Sequence, residues 1–112
     1  PFSDMSLSPL STEVVTEALI GVARRRLSGI VHLSGSEAVT YAELAHHVAR
    51  RLGADLDLVR ATSSVDAGID PEWARAATVL DATRMGVDLA IKPPDPFDEI
   101  DMIFDLVPGA SP

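Results

Sequence analysis

Cysteine is absent from the 112 residues of this chain. Its absence excludes a disulfide framework, thiolate metal sites and a cysteine nucleophile. Basic residues are few beside acidic ones: nine Lys and Arg stand against 17 Asp and Glu, a formal net charge of −8. Nucleic acid and anionic membranes are bound through a surplus of cations, so this balance argues against both as partners. No apolar run approaches the ~20 residues of a membrane-spanning helix. The opening Pro1-Phe2-Ser3-Asp4-Met5 has neither the basic start nor the apolar stretch of a signal peptide, and the expected location is cytoplasmic. No glycine-rich loop follows a strand, which leaves neither a dinucleotide fingerprint nor a Walker loop. Ser34-Gly35-Ser36 lacks the glycine spacing of a nucleophile elbow.

What is present has an ordinary globular balance, 46% hydrophobic and 23% charged. A chain of this length makes one domain, residues 1–112, that buries roughly two-thirds of its unfolded surface. Residues 1–11 are rich in Ser and Pro and read as an incoming loop. The spacing of Val15, Ala18, Leu19, Val22 and Ala23 predicts an amphipathic helix over 12–26, with Ser11 as its N-cap. Glu13 and Glu17 lie towards the positive end of its dipole and Arg24-Arg25-Arg26 lie at the negative end. The basic triplet reads as a charged helix terminus in preference to a phosphate site. Thr40-Tyr41-Ala42-Glu43 has the form of a capping box, and Val39 and Leu44 have the spacing of a hydrophobic staple. Leu44, Ala45, Val48, Ala49 and Leu52 form the apolar stripe of this second helix, and Gly53 is its left-handed stop.

Short β-prone runs at 30–33, 56–60 and 77–80 predict three strands. Asp70-Pro71-Glu72 predicts a brief helical turn near Trp73, and Asp81 caps a single turn around Thr83 and Arg84. Asp95-Pro96 opens a last helix whose buried face is Phe97, Ile100, Ile103, Phe104 and Val107, ended by Pro108-Gly109. The predicted fold is therefore a small α/β domain of short strands and three main helices.

Few side chains promise chemistry. His46 and His47 are neighbours on a helix and diverge by about 100°, a poor arrangement for sharing a metal. His32 reads as a strand residue packed with a satisfied ring N–H rather than as a base. Asp95, Asp98, Glu99, Asp101 and Asp105 read as a solvated helix face rather than as an acid–base pair or cation site. The residues alone identify no catalytic group, no metal ligand and no cofactor contact.

Three segments carry a resemblance. Residues 27–45 run LSGIVHLSGSEAVTYAELA, residues 58–64 run LVRATSS and residues 75–84 run RAATVLDATR. With the entering Ser8-Pro9-Leu10-Ser11 they resemble the C-terminal part of the dTDP-4-dehydrorhamnose reductases, which are extended short-chain dehydrogenase/reductases acting on nucleotide sugars. The resemblance spans roughly residues 6–90 and rests on the order of these pieces. Departures are visible. Tyr41 is followed four residues later by Ala45, so it is not the tyrosine of the family's Tyr-x-x-x-Lys pair. Arg75-Ala76 stands where the family carries Arg-Pro, and the segment after Arg84 is shorter than the family helix.

The resemblance implies that the chain is the substrate-side part of a larger reductase, without the Rossmann half that holds NADP or NAD and the proton donor. It implies a nucleotide-sugar substrate, no cofactor bound by this chain, and no turnover by the chain alone. Arg75 is the candidate substrate contact, since a guanidinium fork suits diphosphate oxygens. A surface arginine at the end of a short helix is the equal alternative for that residue. The same resemblance also accommodates a reductase-like regulatory or interaction module that has lost its chemistry. A domain parted from its other half is expected to self-associate.

Overall fold

The computed structural model describes residues 1–74 and 79–106. Among the described residues, four helices and one two-stranded sheet make a small α/β domain. Strand β1 (Ser6–Leu7) lies antiparallel to β2 (Val39–Thr40), with Ser6 opposite Thr40 and Leu7 opposite Val39. Helix α1 is Thr12–Arg25, α2 is Tyr41–Arg51, α3 is Thr83–Leu89 and α4 is Pro96–Leu106.

The helix starts follow their cap chemistry. The Ser11 hydroxyl accepts from the Val14 amide at 3.3 Å, which satisfies one free donor of the first turn of α1. At α2 the box closes both ways: the Glu43 amide donates to Thr40 Oγ1 at 3.0 Å and the Thr40 amide donates to Glu43 Oε2 at 2.8 Å. Gly53 follows α2 at φ +66°, a left-handed conformation that glycine adopts without a Cβ penalty. At α4 the Asp95 carboxylate accepts from the Phe97 and Asp98 amides at 2.9 and 3.2 Å.

The core lies between α1 and α3. Ala18, Met85, Leu89 and Ile91 are its buried centre, with Val14, Val22, Leu27, Val31, Leu33 and Ala82 packed against it. Gly21 permits the approach of the two helices, because a Cβ there would stand 2.9 Å from Leu89 Cδ2. The inward face of α1 is thus Val14, Ala18 and Val22, rotated from the predicted one. Leu19 is 61% exposed, and Ala23 is exposed as well.

The strands differ most from expectation. Residues 30–33 belong to no ladder, and 56–60 contain a 3-10 turn at Leu56–Leu58, capped by the Asp55 carboxylate. Of the run 77–80, only Val79 and Leu80 are described, and they are not a strand. The pairing that does form uses Ser6 and Leu7 from the predicted incoming loop. A two-residue strand shows no periodicity to read. The predicted turn at Asp81 is a helix of seven residues. On α4, Phe97, Ile100 and Phe104 are half-buried, Ile103 is 41% exposed and Val107 lies outside the described residues. The most buried side chains of α4 include Pro96 and Glu99 instead. Among the described residues no helix is long and apolar enough to cross a membrane.

The molecule is a thin slab, 48 × 38 × 15 Å, with a radius of gyration of 16.3 Å. A compact chain of this length has a radius of about 13 Å. Its accessible surface is 7292 Å², where a compact monomer of this mass exposes about 6000 Å².

Candidate functional site

Arg75, the candidate substrate contact, lies outside the described residues. The residues that follow it are placed. Leu80, Asp81, Ala82 and Thr83 form one wall of a cleft of about 420 Å³ whose other wall is Gly35, Ser36 and Pro93. The Leu80 amide donates to Ser34 Oγ at 3.2 Å, and Ser34 is buried. Two of the segments that carry the family resemblance therefore meet here.

Gly35 explains the Ser-Gly-Ser sequence of this wall. It is buried, and a Cβ on it would stand 2.7 Å from Ser8 Oγ and 3.3 Å from the carbonyl oxygens of Pro9 and Pro94. The Ser36 amide donates to the Pro94 carbonyl at 2.9 Å, which pins the same wall to the segment before α4. On the opposite wall the Thr83 hydroxyl and amide both donate to Asp81 Oδ1. Those two bonds, the hydroxyl's first, hold the Asp81 carboxyl below the usual carboxylate range, and the charge of His32 adds to the effect. The cleft accordingly presents a carboxylate and two hydroxyls among small and apolar residues. That set accepts and donates to the hydroxyls of a polar ligand such as a sugar.

The other hollows have different chemistry. A groove of about 680 Å³ along α2 is lined by Pro1, Phe2, Met5, Leu44, Val48 and Val59 among others, nearly all apolar. The stripe of α2 that reads as core in the sequence thus lines an open groove, and Leu52 at its end is 43% exposed. A hollow of about 630 Å³ between α1 and α3 carries Arg24 and Arg25, but also Glu13 and Glu17. Arg25 donates to the Asp88 carbonyl near the end of α3, so the basic triplet acts as a helix terminus, and the facing carboxylates would repel a phosphate.

The histidines and acids fall elsewhere. His47 Nε2 lies 2.7 Å from Asp101 Oδ1, and its ring packs on Phe97 with centroids 4.8 Å apart. Arg51 bridges Asp101 and Asp105. These contacts join α2 to α4. His32, expected to pack with a satisfied ring, is exposed. The acidic run on α4 is not one solvated face. Asp95 caps the helix, Asp101 and Asp105 pair with α2, and Glu99, 5% exposed, accepts from the Ser11 amide at 2.6 Å. No regularity of the sequence signals that last contact.

Comparison with protein-family models, curated proteins and solved structures yields no match to this chain.

Proposed function

We propose that this chain is the substrate-side part of an NAD(P)H-dependent nucleotide-sugar reductase that reduces a dTDP-4-keto-6-deoxy sugar. The observation that carries the reading is the convergence of 34–36 with 80–83 in one cleft, because those residues belong to the segments on which the family resemblance rests. Asp81 and Ser36 contribute sugar-hydroxyl contacts, and Arg75 contributes a diphosphate contact. The chain has no glycine-rich phosphate loop after a strand, so the residues present do not fit a nicotinamide dinucleotide, which belongs to the other half.

The test uses the chain joined to the coding sequence that precedes it in its gene. That longer product should oxidise NADPH or NADH in the presence of a dTDP-4-keto-6-deoxy sugar, and the 112-residue chain alone should not. In the longer product Arg75→Ala should raise KM several-fold and change kcat little, since a diphosphate contact is made in ground and transition states alike. Unchanged kinetics would make Arg75 a surface residue. A longer product with no turnover on any such sugar refutes the reductase reading and favours a reductase-like interaction module.

A further inference from the structure

Helix α2 lies open along its apolar side. Tyr41, Leu44, Ala45, Val48, Ala49 and Leu52 recur at spacings of three and four and share one face. All six line the groove of about 680 Å³, whose borders are Phe2 and Met5 on one side and Val59 on the other. The Ala42 amide donates to the Phe2 carbonyl at 2.9 Å and the Tyr41 amide to the Met5 carbonyl at 3.1 Å, so the first border is built onto the first turn of α2 itself. Tyr41 and Leu52, 41% and 43% exposed, stand at the two ends of the face, with Leu44, Ala45 and Val48 half-buried between them.

The face carries no charge. Among the described residues no charged side chain lines the groove. His47 and Arg51 are turned to α4, and Glu43 closes the capping box. Arg50 falls on the far side of the helix at about 100° per residue. The hollow between α1 and α3, by contrast, carries Glu13, Glu17, Arg24 and Arg25. The α2 face is therefore where two chains of net charge −8 can meet without setting like charges against each other.

The order of large and small residues along this face complements itself. Let two copies meet antiparallel about a two-fold axis that passes between positions 46 and 47. Leu44 of one copy then faces Ala49 of the other, Val48 faces Ala45, Tyr41 faces Leu52, and each contact occurs twice. A large side chain opposite a small one lets two helices interdigitate without void or overlap. The antiparallel sense also sets the positive end of each helix dipole beside the negative end of the other. A parallel pair in register would instead set Leu44 on Leu44 and leave Ala45 against Ala45. The area suffices as well. The accessible surface of 7292 Å² stands above the ~6000 Å² of a compact monomer of this mass by more than the roughly 800 Å² that each partner buries in a standard interface.

We infer that the apolar face of α2 is the interface of a two-fold dimer, in which α2 packs antiparallel on α2 of a second copy. The occupant is this chain because the same six residues supply both the large side chains and the small positions that receive them. The inference is independent of the reductase reading.

Sedimentation equilibrium and cross-linking test it on the 112-residue chain. The unaltered chain should be a dimer at about 100 µM, within the range of standard-size interfaces. Ala45→Arg places a charge at the centre of the contact and should leave a monomer at that concentration with helix content unchanged by circular dichroism. Leu19→Arg, on the exposed side of α1, should remain a dimer. The chain has no cysteine, so a single introduced thiol reports its own neighbour. A short bismaleimide should join Ala45→Cys chains into a covalent dimer and leave Val87→Cys, 75% exposed on α3 before substitution, largely unjoined. A dimer that survives Ala45→Arg, or equal cross-linking at the two thiols, overturns the inference. A monomeric unaltered chain overturns it too and leaves the groove to a different partner. Should Ala45→Arg lose helix content, the contrast between the two thiols decides alone.

Discussion

Asp4 reaches across 60 positions to hold Ser64: its carboxylate accepts the Ser64 hydroxyl at 2.7 Å and the Ser64 amide at 2.9 Å. Those bonds, the hydroxyl's first, keep the Asp4 carboxyl below its ordinary 3.8. The folded state thus binds its proton later than the unfolded chain does as pH falls. The stabilisation is complete above the ordinary carboxylate range and is lost as pH drops through the lowered folded value. Asp4→Asn should therefore lower the urea midpoint at pH 7 and flatten its decline between pH 4 and pH 2; an unchanged acid slope would show that the pair contributes nothing. A second residue invites the opposite change. Ala90 ends α3 at φ 55° and is exposed. The left-handed conformation costs an L-residue about 1–2 kcal/mol, and glycine returns roughly 0.4–1 kcal/mol of that as unfolded-state freedom. Ala90→Gly should stabilise the chain by about 0.5 kcal/mol in urea denaturation, since glycine is the usual residue after a helix end.

Between elements, the contact with most at stake is that of Glu99 with the Ser11 amide, which ties the first turn of α4 to the cap of α1. Both residues are 5% exposed. Glu99→Ala strands a buried donor and should cost about 2 kcal/mol. Glu99→Gln keeps an acceptor and should cost about half as much. Equal losses for the two variants, measured by urea denaturation, would assign the effect to packing. The same contact shows why elements were legible in the sequence unevenly. Ser11, Thr40 with Glu43, Gly53 and Asp95 act within three or four residues of themselves, so their patterns mark helix ends without knowledge of the fold. Glu99 meets a partner 88 positions away, and Ser34 meets Leu80 across 46. Such pairs are absent from any local window, so the burial of Glu99 and the walls of the cleft were not legible, although Ser34-Gly35-Ser36 and 80–83 each stood out as segments. The strand at 30–33 failed for a related reason. Its residues have the right propensity and the right alternation, but a ladder needs a second chain segment, and propensity does not name one.

At the scale of the whole molecule, the distribution of apolar surface decides how the isolated chain behaves. Helix α4 is held to α2 by His47, Arg51, Asp101 and Asp105, and its Phe97, Ile100 and Phe104 are half-buried. Uncovered apolar surface lies along α2, in the groove of Phe2, Met5, Leu44 and Val48, on Leu19 and Ile30, and on the exposed Leu58, Val65, Trp73 and Val87. A surface of 7292 Å² exceeds the ~6000 Å² of a compact monomer of this mass by more than the roughly 800 Å² that each partner buries in a standard protein interface. The net charge of −8 opposes association. Its repulsion is screened beyond about 8 Å at physiological ionic strength, whereas burial of apolar surface is left intact by salt. Two-fold dimers are the commonest closed assembly. The isolated chain should therefore form a dimer near 100 µM, more tightly as sodium chloride is raised from about 50 mM to about 500 mM, where the screening length falls from over 10 Å to roughly 4 Å. Sedimentation equilibrium at the two salt concentrations measures this. A dimer that weakens with salt would place the contact among charges instead. A monomer at both would mean that the apolar surface on α2, Leu19 and Ile30 is too divided to bury itself against a second copy.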